Sequence, residues 1–232
     1  MPTFAIEIVI MRINTVGIKG FIFDLDGVVV DTRPYHFAAW KKLGRQFGVE
    51  IDRHHNEILR GLSRMKSLEL LMEWGNIYAS EAEKLYWADV KNSWYIEMIA
   101  QMRPEEVLPG VRQFLRDTQD NGIKMALVSS SRNAQTVLRS VGLSHFFEVV
   151  IDGTVSKKSK PSPDCFLLAA AGLGLHPTEC MVFEDAPVGI AAAKSGGFKS
   201  VAVGSDCPTC PWDFVIDGFE NIVVMDIESL GV

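Results

Sequence analysis

The chain reads as an α/β protein, a doubly wound parallel sheet with a small helical unit inserted after the first strand. Three observations lead to that reading. Short apolar, β-branched segments recur along the sequence. Helical patterns that stop at glycines separate them. One stretch, residues 34–103, carries helical patterns only.

The first strand is expected at residues 20–25, GFIFDL. Further strands are expected at residues 124–128 (KMALV), 148–151 (EVVI), 180–183 (CMVF), 199–203 (KSVAV) and 222–225 (IVVM). Each is apolar on both faces, as a strand covered by helices on both sides must be. Helices at 111–121, 133–141, 164–171 and 186–195 alternate with them. Gly122, Gly142, Gly172 and Gly196 follow, at the position past a helix end that glycine favours. In the insert, Phe37, Trp40 and Phe47 share one helical face, and Leu68, Leu71 and Met72 share another. Ser80-Glu81-Ala82-Glu83 matches a capping box, opening a helix whose apolar residues are Leu85, Val90, Trp94 and Met98. Four of the five tryptophans fall in the insert and are expected to fill its own core. The expected division is a core of residues 1–33 and 104–232, with residues 34–103 as a separate helical domain.

Composition narrows the function classes. The 232 residues include 23 Lys and Arg against 29 Asp and Glu, a net charge of −6. Hydrophobic residues at 47% and charged residues at 22% describe an ordinary globular protein and exclude a disordered, collagen-like or coiled-coil chain. The acidic balance argues against a nucleic-acid partner, which needs a basic face. No apolar run approaches the roughly 18 residues of a membrane span. The apolar segment at residues 4–11 is short, is interrupted by Glu7 and has no basic residues ahead of it, unlike a secretory signal. Met11 is a second candidate start. Four cysteines are too few for a disulfide scaffold, so a cytoplasmic protein is expected. Oligomeric state is not readable from the sequence, and a monomer is the working expectation. Cys207 and Cys210 form a C-x-x-C pair with Pro208 and Pro211 beside them. No Cys or His follows to complete a zinc set, so a rigid loop is the favoured reading and a redox pair the alternative.

Ligands of a parallel sheet bind beyond the carboxyl ends of its strands. The first strand ends in Asp24-Leu25-Asp26-Gly27, where residues two apart in an extended segment point the same way. The second ends in Ser129-Ser130-Ser131-Arg132-Asn133, and the fourth in Glu184-Asp185. Lys160 precedes Pro161 and Pro163 on a loop at the same edge. Each segment has a plainer reading: a D-x-D turn, or a helix cap at the serines or at Glu184-Asp185. Their joint position at strand ends favours chemistry. Two carboxylates ~4 Å apart repel by roughly 4 kcal/mol at an effective dielectric near 20. A dication relieves this, and oxygen ligands without His or Cys favour Mg²⁺. An ionised Asp is a competent nucleophile toward phosphorus, and a second carboxylate can move the proton.

These residues resemble the haloacid dehalogenase-type phosphotransferases. The matches are Phe23-Asp24-Leu25-Asp26-Gly27-Val28, the hydroxyl of Ser129 after a strand, the Lys160-Pro161 step and Phe183-Glu184-Asp185. The resemblance runs from about residue 19 to residue 225 and includes a small helical cap domain. Within the family the β-phosphoglucomutase-like subfamily is the nearest match, through Tyr35-His36-Phe37-Ala38-Ala39-Trp40, Arg60-Gly61-Leu62-Ser63-Arg64 with Ser67-Leu68, and Ser129-Ser130-Ser131-Arg132-Asn133-Ala134. It implies Asp24 as nucleophile and Mg²⁺ ligand, and Asp26 as general acid/base with its carbonyl on the metal. Asp185 would bind the metal with support from Glu184. Ser129 and Lys160 would hold the transferring phosphoryl group, and Arg64, Ser131, Arg132 and Asn133 the other phosphate of a sugar phosphate. His36 would couple the cap to Asp26, Thr32 would lie at the hinge, and Trp40 would belong to the substrate side of the cap. Arg60 and Arg132 stand where the family usually has Lys, and both keep the charge. The implied reaction is a sugar-phosphate mutase or, with water as acceptor, a phosphatase of sugar phosphates or pyrophosphate.

Overall fold

The structure, a computed structural model, describes residues 11–14, 17–59, 62–156, 158–204, 210–220 and 222–225. Two compact units emerge, residues 1–31 with 103–232, and residues 32–102.

The first unit is built on a six-stranded, all-parallel sheet. Its strands are β2 (Gly20–Asp24), β3 (Lys124–Val128), β4 (Val149–Ile151), β5 (Cys180–Glu184), β6 (Lys199–Val203) and β7 (Phe214–Ile216), in the order β4-β3-β2-β5-β6-β7. The chain leaves β2 toward one edge, then returns to its other side, so the order reverses at β2. That reversal opens a crevice above the strand's carboxyl end. Helices α5 (Val111–Asp120), α6 (Ala134–Ser140), α7 (Asp164–Leu173) and α8 (Pro187–Ser195) make the crossovers. All five residues of β2 are buried. Phe21 and Phe23 pack into an aromatic cluster with Phe114, Phe183 and Phe219, the Phe23 and Phe183 rings stacked 4.8 Å apart. Ile22 belongs to a second cluster with Phe166, Ala169, Val182 and Ala193. Alternate residues of one strand thus feed two hydrophobic layers.

Five of the six expected strands lie in this sheet. The sixth, β8 (Ile222–Met225), instead pairs in parallel with β1 (Met11–Asn14) in a separate two-stranded sheet. The sixth place belongs to β7, an edge strand of three residues whose Val215 is exposed. So short a segment carries too little apolar pattern to be found by periodicity. Helix α7 also departs from expectation: it runs through Gly172 to Leu173 and is capped by Gly174 in the left-handed conformation. Gly172 lies against Val149 of β4, where a Cβ would come within 2.9 Å of that side chain.

The second unit holds α1 (Arg33–Gln46), α2 (Arg53–Leu59), α3 (Arg64–Trp74) and α4 (Glu81–Ile99). Its core gathers Trp40, Leu43, Ile51, Leu59, Leu68, Leu71, Met72 and Ala88, with Phe37, Phe47, Trp74, Trp87 and Trp94 packed around them. The expected capping box opens α4: Ser80 accepts from the Glu83 amide and Glu83 accepts from the Ser80 amide. The apolar face of α4 is displaced from the expected one. Ala88, Lys91, Tyr95 and Ile99 are buried, whereas Leu85 is 58% exposed. A lysine on the inward stripe disguised it.

Candidate active site

Register brings the site together. Asp24 pairs with Val128, Phe23 with Phe183, and Val128 with Ile151. Asp24, Ser129, Asp152 and Glu184 therefore stand at adjacent strand ends, and all four are buried. Strand β2 stops at Asp24, one residue before its expected end, so the following turn carries Asp26. There the Asp26 amide donates to Asp24 Oδ2 at 3.0 Å, and the Gly27 amide donates to the Val30 carbonyl at 2.7 Å. Gly27 has φ +86°, and a Cβ there would collide with the Asp185 carboxylate. Gly189 in α8 leaves room for Glu184 in the same way.

Carboxylate oxygens of Asp24, Glu184 and Asp185 lie within 4.8 Å of one another. The Asp26 carboxylate is not part of this group. Lys160 Nζ donates to Asp24 Oδ1 at 2.5 Å and to Glu184 Oε1 at 3.3 Å. Burial works against its charge, but Asp24 and Glu184 outweigh burial and hold the ammonium well above the ordinary lysine range. Glu184 is pushed up to about 8 by burial and by the neighbouring Asp24 and Asp185 carboxylates, with Lys160 opposing them. Its Oε2 is buried with no hydrogen-bond partner among the described residues. Three carboxylates, one lysine and an orphaned carboxylate oxygen fit a divalent cation, which would supply both the missing charge and the missing contact.

The hydroxyl-rich segment sits beside this cluster. Ser129 Oγ accepts from the Ser131 amide at 3.1 Å, and Ser131 Oγ accepts from the Asn133 amide at 3.2 Å. Asn133 takes the N-cap position of α6, and Ala186 that of α8, each without a side-chain capping bond. Neither the serines nor Glu184-Asp185 thus takes the N-cap position of the helix that follows. Arg132 is exposed and, with Gly153, Thr154 and Ser156, lines a cavity of about 460 Å³. Sequence reasoning missed Gly153 and Thr154; the Asp-Gly-Thr turn after β4 was the available signal.

The helical unit carries its own cluster. His36 stacks on Tyr95, ring centroids 4.0 Å apart, and its Nδ1 lies 2.9 Å from Lys91 Nζ. The Tyr95 hydroxyl donates to Thr32 Oγ1 at 3.1 Å. Burial, then Lys91 and Arg64, hold His36 well below the usual histidine range. Lys91 is itself lowered to about 7, by burial first and by Arg64 second. A neutral His36 accepts at Nδ1 from Lys91, which leaves Nε2 as its donor. Trp40, 5% exposed, packs in the unit's core with Lys91 Nζ 4.6 Å from its ring centroid. Arg64 Nη2 donates to Asn92 Oδ1 at 2.9 Å. Sequence reasoning missed Lys91, Asn92 and Tyr95, although a lysine on an apolar helical stripe is a readable signal. Arg60, Gly61 and Cys207 lie outside the described residues. Cys210 is disulfide-bonded, while Cys165 and Cys180 are free and buried.

Comparison with known proteins decides the family. The haloacid dehalogenase-like hydrolase family matches residues 18–197. The chain belongs to the haloacid dehalogenase-like hydrolases. Among members of that family, the β-phosphoglucomutase of Bacillus subtilis (strain 168) is 42% identical over 200 residues, 85% of this chain and 88% of the relative. The phosphorylated carbohydrates phosphatase of Thermotoga maritima is 32% identical, over 79% of this chain and 83% of the relative. The crystal structure of a β-phosphoglucomutase from Clostridium difficile superposes with a TM-score of 0.80 at 40% identity, covering 92% of this chain and 95% of that one. Among the described residues, no helix of this family member is long and apolar enough to cross a membrane.

Proposed function

We propose that the protein catalyses the β-phosphoglucomutase reaction, interconverting β-D-glucose 1-phosphate and glucose 6-phosphate through an aspartyl-phosphate enzyme and β-glucose 1,6-bisphosphate. The observation that carries this reading is the 42% identity to the Bacillus subtilis β-phosphoglucomutase, over a stretch too long to omit the helical unit. Residues 34–103 act as the substrate-binding cap and residues 1–33 with 104–232 as the phosphotransferase core.

In this reading an Asp24 oxygen attacks phosphorus, and the bond from phosphorus to the sugar oxygen breaks. Asp26 gives its proton to that departing oxygen. The phosphoryl group on Asp24 then passes to the 6-hydroxyl of β-glucose 1-phosphate, Asp26 taking the hydroxyl proton. The β-glucose 1,6-bisphosphate so formed reorients and returns its 1-phosphoryl group to Asp24, releasing glucose 6-phosphate. Lys160 and the Ser129 hydroxyl hold the phosphoryl oxygens. Asp24, Glu184 and Asp185, with the Asp26 carbonyl, would hold Mg²⁺, which when bound supplies the charge that lets an anion meet an anion. Arg64, Ser131, Arg132 and Asn133 hold the other phosphate. His36, fixed by Lys91, keeps Asp26 disengaged until the sugar is bound, while Trp40 supports this cluster by packing. Engaging the second phosphate favours a sugar hydroxyl over water as the acceptor. The enzyme is proposed to act in the cytoplasm, as a monomer.

A second reading, a sugar-phosphate phosphatase on the same nucleophile, draws on the likeness to the Thermotoga maritima phosphatase. A coupled assay on β-glucose 1-phosphate, run beside inorganic-phosphate release, separates the two. Glucose 6-phosphate formation should outpace phosphate release; the reverse order would establish the phosphatase.

A further inference from the structure

Arg64 is the first residue of α3, and its guanidinium is held from α4. Nη2 donates to Asn92 Oδ1 at 2.9 Å, and Nη1 lies 3.8 Å from Asp89 Oδ1. The two acceptors are unequal. The Asp89 side chain is 83% exposed, so solvent screens its charge. Asn92 is half-buried and neutral. An amide oxygen can fix the plane of a guanidinium without cancelling its charge, which a carboxylate in that place would do. Lys91, the residue before Asn92, is buried, and the nearby Arg64 charge helps to lower its pKa. Arg64 thus keeps its charge while its fork is oriented, the combination that two-pronged recognition of a phosphate demands.

We propose that Asn92 is a positioning residue, whose amide oxygen aims the Arg64 guanidinium and so selects substrates carrying a second phosphate. This rests on the reading that Arg64 holds that phosphate. Asn92 is a specificity determinant acting through Arg64.

The test uses the full chain with Mg²⁺ and compares Asn92→Ala, Asn92→Asp, Arg64→Ala and the Arg64→Ala/Asn92→Ala double variant. Two substrates are measured: β-glucose 1-phosphate, primed with β-glucose 1,6-bisphosphate, and acetyl phosphate. The phosphate of β-glucose 1-phosphate is held at Arg64 while Asp24 carries the transferring group. The one phosphate of acetyl phosphate is itself the transferring group and leaves the Arg64 site empty. Asn92→Ala should raise KM for β-glucose 1-phosphate about tenfold, the scale of one charge-assisted hydrogen bond, with a smaller change in kcat. Its kcat/KM for acetyl phosphate should fall much less. Asn92→Asp keeps an acceptor but adds a negative charge, so its KM should rise further. In the Arg64→Ala background, Asn92→Ala should add nothing. The proposal fails if Arg64→Ala raises KM while Asn92→Ala does not, if the two effects are additive, or if both substrates suffer equally. An unchanged KM in Arg64→Ala overturns the underlying phosphate reading and the proposal with it. Alanine is the best helix former, so thermal melting of Asn92→Ala should match the parent and exclude a folding defect.

Discussion

Lys160 is a cation set among three acids, and its short contact with Asp24 fixes the carboxylate that the proposed chemistry uses. Replacing Asp24 by Asn keeps the shape and removes the proposed nucleophile. Glucose 6-phosphate formation should fall by on the order of 10³ or more, measured beside a circular-dichroism spectrum that stays native. Lys91 gives a second expectation with a defined sign. In the native protein it loses its proton near pH 7, and in the unfolded chain near its ordinary value of 10.5. Between those values the unfolded state binds more protons, so this site adds stability as pH rises, while below about pH 7 the buried charge is fully destabilising. A separation of that size is worth about 5 kcal/mol at most. Urea denaturation of the parent and of Lys91→Met should show the parent gaining relative stability from pH 7 to 10; a constant difference would mean that Lys91 is not deprotonated there. The Asp24 and Glu184-Asp185 grouping was legible because each stands at a strand end, where a single sequence fixes position well, and Lys160 because its Lys-Pro step lies on a loop at the same edge. Lys91 and Asn92 were not, because their importance comes from which way α4 is rotated, and the more visible tryptophans suggested a different face.

At the level of elements, the α4 capping box is a device that can be removed singly. Ser80→Ala should lower stability by about 1 kcal/mol, read as a shift in the denaturation midpoint, with turnover at 25 °C retained. Gly172 in α7 tests packing instead of capping. Alanine there improves helix propensity but pushes a methyl group against Val149, so Gly172→Ala should cost about 1–3 kcal/mol. A stabilised variant would show that β4 can yield. The same two helices show where pattern reading works. Ser80 and Glu83 announce a helix start because the capping bonds are local in sequence. Gly172 misled because its small size serves a contact with β4, far away in sequence. Strand β8 was recognised as a strand but not placed, since its partner β1 comes from the opposite end of the chain and pairing is not a local property.

For the whole molecule, a cation bound at the acidic cluster would couple its binding to folding. Adding Mg²⁺ should raise the melting temperature, with about 2.7 kcal/mol of stabilisation at 100 times Kd, and chelation should abolish turnover. Glu184→Gln should blunt the melting shift; an undiminished shift would place the cation elsewhere. The position of β2 carries one more consequence. It lies between β3 and β5 with every residue buried. Its amide hydrogens should therefore be among the last to exchange with deuterium, opening only when the entire core opens. The aspartate proposed as nucleophile would then be mounted on one of the most slowly breathing parts of the molecule, so that local fluctuation leaves it in place, and the enzyme should fail by losing population rather than by losing precision.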